Sequence, residues 1–473
     1  MGRKLFLLVF FCLYTFSLPA KISLASIWQD NMVLQQNSTV IIAGYSNIAK
    51  KIWIDASWDG KKIKTECSAD GHFSVMLKTP SYGGPYTISF YDGDKLTLKN
   101  ILIGEVWFCS GQSNMEMPVK GFRGQPVYGS LEYIISAEEK RPMRLFTVKN
   151  SWSTTPMSDS ISGQWNETST ENVSNFSAVA YFFGDLLQKT LKVPIGLINC
   201  SWSASKIEAW MDREALKPFV EVKLPDSNQT AFEWPAGTPT LLWNAMVNPW
   251  KGFPIKGVLW YQGEANTPNP DLYRSLFPAM INQWRTFWEQ PAMPFYYVQI
   301  APWASEGSDK YDWALFRQCQ LDAMRQIPDV GMVVTADLGS ENFIHPPYKT
   351  KVGERLAYWA LAKTYGIKGF MYSGPIYKEC QLKNGKVEVN FDFGEDGLTP
   401  ENEPVIGFEL VGDNGLVYPA SAEIINGSSI VKVWNENVLN PTEVRYCFRN
   451  FKLGNLCNNI GLPAAPFKTI INK

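Results

Sequence analysis

Two residues of this chain could together cleave an ester bond. Ser113 lies in EVWFCSGQSNMEMP, where an apolar run gives way to small, turn-forming residues, and His345 lies in ENFIHPPYKTKVGERLA. A serine hydroxyl is a weak nucleophile unless a base accepts its proton, and histidine, with an ordinary pKa of about 6.5, is the usual base. The chain has only two histidines. His345 is therefore the candidate base, whereas His72, at an Ala-Asp-Gly turn, is predicted to be structural.

Polar residues also follow other strand-like runs. Ser203 and Ala204 come after PIGLINC, Gln262 and Glu264 come after KGVLWY, and the loop with the candidate base comes after GMVVTAD. Ligands of an open parallel sheet bind beyond the carboxyl ends of its strands, so these groups are expected to converge. Attack on an ester places negative charge on the carbonyl oxygen, which needs hydrogen-bond donors. We predict as donors the N–H of the nucleophilic serine, an N–H near Ser203 or Ala204, and the side-chain amide of Gln262.

The alternation of strand-like and helical runs divides the chain into three parts. Residues 21–100 contain short runs such as TVIIAGY and HFSVMLK between Gly and Asp turns, which predicts a β-sandwich. Residues 101–375 alternate strand-like with helical runs, which predicts a parallel sheet covered by helices. Residues 376–473 return to short strands and predict a second β domain. The segments 119–175 and 212–240 are loop-rich and are expected to border the site.

Charge and the first residues limit the classes of protein. The chain has 44 Lys and Arg against 45 Asp and Glu, so there is no basic field for nucleic acid. Residues 1–20 have a charged start, an apolar stretch and a closing Pro-Ala, which is typical of a secretory signal peptide and too short for a membrane span. We expect a mature protein without a membrane span, exported to the periplasm or the medium.

The cysteines do not suggest a disulfide framework or a metal site. Seven remain after the predicted signal peptide, and an odd number argues against complete pairing. Cys447 with Cys457 is the one disulfide that we consider. No Cys/His cluster has the spacing of metal ligands, and two histidines are few for a zinc site. We therefore predict no metal.

Three motifs, GQSNM, WYQGEAN and IHP, occur with the further segments DNMVLQQ, IEAW, RQCQ and GLPAAPF. Together they resemble the sialate O-acetylesterase family, a branch of the SGNH (GDSL-like) hydrolases, and the resemblance covers essentially the whole mature chain. The resemblance implies an α/β fold with a flavodoxin-like core and flanking β domains. It also implies Ser113 as nucleophile, His345 as base and no cofactor. The same motifs place Asn114 and Glu264 around the oxyanion and the substrate, with Glu264 as a structural acceptor rather than an acid catalyst.

The chain departs from its relatives in two places. They usually carry Gly-Gly where this chain has Ser203-Ala204, so a Cβ occupies that turn. The wider superfamily often carries Asp three residues before the histidine, where this chain has Asn342. Three groups could therefore orient His345: Asp337 at the end of GMVVTAD, Asn342, or a backbone carbonyl. We take Asp337 as the third member of the triad.

Together these residues predict an exported serine esterase that removes O-acetyl groups from sialic acid or related acetylated sugars through an acyl-enzyme intermediate. An alternative substrate is acetyl-xylan or another polysaccharide. A different class is a carbohydrate-binding protein with an inactive hydrolase fold, because 18 tryptophans could stack on sugars as well as fill cores. The presence of both Ser113 and His345 favours the enzyme.

Overall fold

The computed structural model of the protein describes residues 22–47, 49–138 and 141–471. The predicted signal peptide, residues 1–20, lies outside the described residues. No helix within the described ranges is long and apolar enough to cross a membrane.

Eight strands form the first part of the chain. In order they are β1 (Ile22–Leu24), β2 (Val33–Gln35), β3 (Thr39–Ser46), β4 (Lys51–Ala56), β5 (Lys62–Glu66), β6 (His72–Lys78), β7 (Gly83–Tyr91) and β8 (Lys95–Gly111). β1, β3 and β6 form one antiparallel sheet, and β5, β4, β7 and the start of β8 pair in a second. The rings of Phe73 on β6 and Phe90 on β7 lie 6.2 Å apart, so apolar faces of the two sheets pack together.

Strand β8 belongs to two parts of the molecule. Its first half pairs with β7 and β2, and from Glu105 onward it is the central strand of the larger sheet. Asn100 has a φ of +54°, and the register with β7 shifts nearby, but the pairing with β7 continues past it to Ile103. The boundary predicted between residues 100 and 101 therefore falls inside a continuous strand, at a local bulge rather than at a turn.

The large sheet continues through six more strands. They are β9 (Met143–Thr147), β10 (Trp165–Glu167), β11 (Ile195–Ser201), β12 (Gly257–Tyr261), β13 (Phe295–Val298) and β14 (Val330–Val333). The order is β10-β9-β11-β8-β12-β13-β14; all neighbours in it are parallel except β10 with β9. β11 and β12 are buried along their whole length. Such continuous apolar strands are expected where helices cover both faces.

Eight α-helices accompany these strands in the described part of the chain. They are α1 (Ser113–Glu116), α2 (Ser130–Ile135), α3 (Thr170–Ser174), α4 (Ala178–Leu191), α5 (Arg213–Leu216), α6 (Pro270–Phe287), α7 (Asp312–Gln326) and α8 (Lys349–Trp359). Successive side chains of β8 point to opposite faces: the ring of Trp107 lies 5.0 Å from that of Phe183 on α4, and the ring of Phe108 lies 5.8 Å from that of Trp284 on α6. The fold is thus mixed α/β, as predicted, with one large sheet and additional β-sheets.

Ten strands form the last part of the chain. They are β15 (Ile376–Lys383), β16 (Lys386–Asp392), β17 (Leu398–Thr399), β18 (Phe408–Gly412), β19 (Val417–Pro419), β20 (Ser421–Ile424), β21 (Ile430–Trp434), β22 (Pro441–Tyr446), β23 (Cys457–Asn458) and β24 (Phe467–Ile470). They form sheets of the orders β15-β16-β21-β20, β19-β18-β22-β24 and β17-β23. Asn450, which follows β22, contacts α7: its Oδ1 accepts a hydrogen bond from the backbone N–H of Trp313 at 2.8 Å.

The disulfide considered between Cys447 and Cys457 is not formed, and all seven cysteines after the predicted signal peptide are free. Cys447 Sγ packs closely against Gly407 and Gly454, in space that a side chain at either glycine would need. Burial raises the pKa of Cys447 to about 12. This thiol is therefore a small buried hydrophobe rather than half of a crosslink.

Candidate active site

The carboxyl edge of the large sheet carries a serine in contact with a histidine. β8 ends at Gly111, and Ser113 begins α1 just beyond it. Ser113 is 6% exposed, and its Oγ lies 2.8 Å from Nε2 of His345, which is in the loop between β14 and α8. The structure thus brings together the nucleophile and the base that the sequence predicted, although 232 positions separate them in the chain.

The passage of the chain from β8 into α1 depends on a glycine. Gly111 has a φ of +141°, and a Cβ there would lie 2.1 Å from the carbonyl oxygen of Tyr261 on β12. Only glycine allows this approach. Oε1 of Gln112 then accepts hydrogen bonds from the N–H groups of Gly263 and Ala265, at 3.2 and 3.3 Å. The ends of β8 and β12 are therefore held together directly before the serine.

The second ring nitrogen of His345 is held by a side-chain amide. Nδ1 lies 2.6 Å from Oε1 of Gln125. An amide oxygen only accepts hydrogen bonds, so Nδ1 carries the proton and Nε2 presents its lone pair to the Ser113 hydroxyl. Phe122, in the same turn as Gln125, packs edge-on against the imidazole with 5.5 Å between centroids. This turn fixes both the tautomer and the orientation of the ring.

The prediction that Asp337 orients His345 is wrong. Both carboxylate oxygens of Asp337 accept hydrogen bonds from Arg355, each at 2.7 Å, and Arg355 also donates to the carbonyl of Val334 at 2.8 Å. This paired geometry occupies the carboxylate and ties the end of β14 to α8. Proximity to a strand end, on which the prediction rested, does not reveal such a competing arginine.

Gln125 contacts Nδ1 in place of the alternatives considered, which were Asn342 and a backbone carbonyl. Asn342 is exposed on the loop before His345. Gln125 lies in the loop-rich segment 119–175, 220 positions away from the histidine in sequence. The expectation that this segment borders the site was the only signal that could have led to Gln125.

His345 is neutral at neutral pH. Burial lowers its pKa to about 4, and the nearby positive charge of Lys349 acts in the same direction. The partner Gln125 brings no negative charge that would raise the pKa. The imidazole is therefore in the state that can accept a proton from Ser113.

The prediction that Gln262 is an oxyanion donor is also wrong. Its side chain is fully buried, and Nε2 donates to the carbonyl of Ser205 at 3.0 Å and to Oδ1 of Asn266 at 2.7 Å. Both amide hydrogens are thus committed within the protein. Nδ2 of Asn266 in turn donates to Glu208 at 2.9 Å, so this motif joins the end of β12 to the IEAW segment.

The turn after β11 contains both Ser203 and Ala204, but only one of them has a free N–H. The N–H and the hydroxyl of Ser203 both donate to the carboxylate of Glu116. Ala204 is exposed with a φ of +56°, and its N–H has no partner within the described part of the chain. Of the two predicted donors in this turn, Ala204 is therefore the one whose N–H is not already bonded within the described residues. Glu116, which holds the turn, was missed in the sequence.

Asn114 and Glu264 lie beneath the serine rather than facing a substrate. The side chain of Asn114 is 1% exposed. Its Nδ2 donates hydrogen bonds to Glu264 Oε1 at 2.5 Å and to the carbonyl oxygen of Ile344 at 3.1 Å. Its Oδ1 accepts a hydrogen bond from Lys349 Nζ. Glu264 is therefore a structural acceptor, as predicted, and Asn114 has no amide hydrogen left for a ligand. Burial raises the pKa of Glu264.

Neither the second histidine nor a metal cluster adds to the site. His72 lies at the start of β6, where its exposed ring packs against Tyr45 with 5.5 Å between centroids. Across the described residues, no group of three or more His, Cys, Asp or Glu side chains is placed to hold a metal ion.

Comparisons with known proteins find relatives among carbohydrate esterases. The family described as "Carbohydrate esterase, sialic acid-specific acetylesterase" matches residues 103–362. A crystal structure of a carbohydrate acetylesterase from Xanthomonas citri is 33% identical, covers 95% of this chain and 99% of its own, and superposes with a TM-score of 0.86. The sialate O-acetylesterases of Mus musculus and Homo sapiens are 28% and 29% identical, each over 78% of this chain and 78% and 76% of theirs.

The fold, the serine–histidine contact and these relatives define a carboxylic ester hydrolase. The chain belongs to the sialic acid-specific acetylesterase family of carbohydrate esterases. The family predicted from the three motifs is thereby confirmed.

Proposed function

We propose that the protein removes O-acetyl groups from acetylated sugars through an intermediate in which the acetyl group is bound to Ser113. Acetylated sialic acid is the first candidate substrate. The observation that carries this proposal is the 2.8 Å contact between Ser113 Oγ and the unprotonated Nε2 of a neutral His345. The N–H groups of Ser113 and Ala204 are the oxyanion donors that the geometry supports. The core is that of an SGNH hydrolase, and no cofactor takes part.

The proposed reaction has two halves. Ser113 Oγ attacks the acetyl carbonyl carbon while His345 Nε2 takes the hydroxyl proton, and the oxyanion receives hydrogen bonds from the two N–H groups. The C–O bond to the sugar then breaks, and the imidazolium gives its proton to the departing sugar oxygen. Water next attacks the acetyl-serine, His345 takes a proton from it, and acetate leaves as Ser113 is reprotonated.

The substrate proposal rests on the relatives. Curated relatives are named sialate O-acetylesterases, and the Xanthomonas citri relative is named a carbohydrate acetylesterase. The name of the latter, which has the higher identity and coverage, specifies no particular sugar, so the predicted alternative of acetyl-xylan or another polysaccharide stays a second candidate. A binding protein with an inactive fold is disfavoured, because an inactive site would have no need of the Gln125 contact that sets the tautomer of His345.

Ser113→Ala and His345→Ala should each abolish acetate release while the thermal melting curve stays that of the wild type. Because nucleophile and base act as a unit, the double variant should lose little more than either single variant. His72→Ala is the matched control and should retain full turnover. Wild-type turnover by a folded Ser113→Ala protein would falsify the assignment.

The sugar can be identified by direct comparison. We would measure kcat/KM on 9-O-acetylated sialic acid and on acetyl-xylan with the same preparation. A preference for the former supports the sialate proposal, and a preference for the latter replaces it with polysaccharide deacetylation. Release from neither, with turnover of a small acetyl ester, would require another acetylated sugar.

Export is a further part of the proposal, supported by the sequence of residues 1–20. Expression with the native N-terminus and mass spectrometry of the purified protein test it. A chain that begins near residue 21 in the periplasm or the medium is expected. A cytoplasmic chain that keeps those residues would contradict export.

A further inference from the structure

A fully buried lysine lies beneath the serine and the histidine. Lys349, the first residue of α8, is 0% exposed. Its Nζ donates to Oδ1 of Asn114 and lies 5.3 Å from the ring centroid of Tyr261. A buried amine is unfavourable unless it is paired and hydrogen-bonded. Neither step of the proposed reaction uses this lysine, so its position needs another explanation.

Asn114 connects Lys349 to a buried carboxylate. Nδ2 of Asn114 donates to Oε1 of Glu264 at 2.5 Å, while the other side of the amide accepts from Lys349. Glu264 is 7% exposed, and its Oε2 has no hydrogen-bond partner among the described residues. The charges of Glu264 and Lys349 act on each other's pKa, and burial lowers that of Lys349 to about 7. The amide is thus held between an amine donor and a carboxyl acceptor.

The same amide joins the two reacting segments. Nδ2 of Asn114 also donates to the carbonyl oxygen of Ile344 at 3.1 Å. Asn114 directly follows Ser113 in the chain, and Ile344 directly precedes His345. One side chain therefore links the backbone beside the nucleophile to the backbone beside the base.

The flanking charges decide which way this amide points. A lysine amine donates to the amide oxygen, and a carboxylate accepts from the amide nitrogen, so the reverse orientation of Asn114 would lose both bonds. Only the observed orientation leaves an N–H for Ile344. Replacing buried charged groups by apolar residues is often neutral or stabilising, so stability alone does not account for two buried charges bridged by an amide.

We propose that Lys349, Asn114 and Glu264 form a positioning network that sets the placement of His345 relative to Ser113. Asn114 acts on the two backbone segments, and Lys349 and Glu264 act through Asn114. None of the three touches the reacting atoms. The inference rests on the proposed roles of Ser113 and His345, and it assigns to Lys349 a part in the rate of the chemical step.

The first test is Asn114→Asp, which has nearly the same shape. The carboxylate still accepts from Lys349, but it cannot donate to Glu264 or to Ile344. A small displacement of reacting groups is costly, with about 1 Å worth about 100-fold in rate. We expect kcat on a small acetyl ester to fall at least about tenfold with KM within about twofold, because ground-state binding is untouched.

The second test is Lys349→Met, with Lys351→Met as its matched control. Lys351 is exposed on the same helix, so its variant removes a charge near the site without touching the network. We expect kcat to fall with KM unchanged in Lys349→Met only. If the single variant does not fold because Glu264 is left without its cation, Lys349→Met combined with Glu264→Gln removes both charges, and the same loss of kcat is expected.

The outcomes separate this inference from the proposed function. Wild-type kcat in folded Asn114→Asp and in a folded Lys349→Met or double variant, with Ser113→Ala inactive, would overturn the positioning network alone. A wild-type protein that releases no acetate, or a Ser113→Ala protein that remains active, would overturn the proposed function first. Equal losses in the Lys349→Met and Lys351→Met proteins would mark a general effect of charge and also contradict the network.

Discussion

At the scale of single residues, the partner of His345 determines how the base behaves. A carboxylate partner would stabilise the imidazolium that forms during attack, whereas Gln125 orients the ring without charge. Burial, without a carboxylate partner to oppose it, lowers the pKa of the imidazole to about 4, so His345 is a weak base that stays unprotonated in mildly acidic solution. The charge of Lys349 beneath the ring lowers the pKa of His345 further.

Changing Gln125 to glutamate should move the pH profile. In the wild type, kcat/KM requires neutral His345, so it should fall only as the pH drops through about 4. A carboxylate at position 125 favours the imidazolium and raises the pKa of His345, so the acid limb should move to higher pH by about one unit or more. The measurement is kcat/KM from pH 3.5 to 8 on one acetyl ester. Gln125→Ala, which removes the amide without adding a charge, is the control. If the pH profile of Gln125→Glu were identical to that of the wild type, residue 125 would not contact His345 in solution.

Asp337 should matter for stability rather than for catalysis. In Asp337→Asn the paired contact with Arg355 is weakened, so the melting temperature should fall, while kcat should drop less than tenfold because His345 keeps its partner. Full triads lose about 10⁴ in kcat on the corresponding change. Thermal melts and steady-state kinetics on the same preparation of Asp337→Asn test this. A loss in kcat of about 10⁴ would show that Asp337 is the catalytic partner of His345.

At the scale of elements, the turn after β11 contains a residue in an unfavourable conformation. Ala204 has a φ of +56°, which costs a residue with a Cβ about 1 kcal/mol relative to glycine. Ala204→Gly should therefore raise the free energy of unfolding by up to about that amount and keep the N–H in place. Chemical denaturation and kcat on the same samples test this. A less stable protein would indicate that the Cβ makes a packing contact that outweighs the backbone strain.

The elements show which parts of the site could be predicted from sequence. Ser113 and the loop of His345 could be brought together from the sequence because each follows a strand with a strong apolar pattern, and parallel strands end at one edge. Gln262 also follows such a strand, but the direction of its side chain is set by Ser205 and Asn266, which both accept hydrogen bonds from its amide. Sequence position gives the place of a side chain in a sheet and not its hydrogen-bond partners.

At the scale of the whole molecule, the division of the chain into three parts stays a prediction, and its first boundary, between residues 100 and 101, lies within the hydrogen-bonded strand β8. The continuity of β8 could not be seen, because a bulge at Asn100 and a true turn have similar sequences.

The shared strand β8 has a consequence for how the protein opens in solution. Residues 95–103 of β8 pair with β7, and the same strand continues without a break into the pairs that residues 105–111 make with β11 and β12, so opening the small sheets frees one end of the central strand of the core. The N-terminal sheets and the core should therefore form a single cooperative unit in native-state hydrogen exchange. Peptides on both sides of Asn100 should exchange with the same free energy of opening and the same denaturant dependence. If the N-terminal peptides exchanged through a separate, lower-energy opening, the seventeen residues of β8 would couple the two regions in space but not in stability.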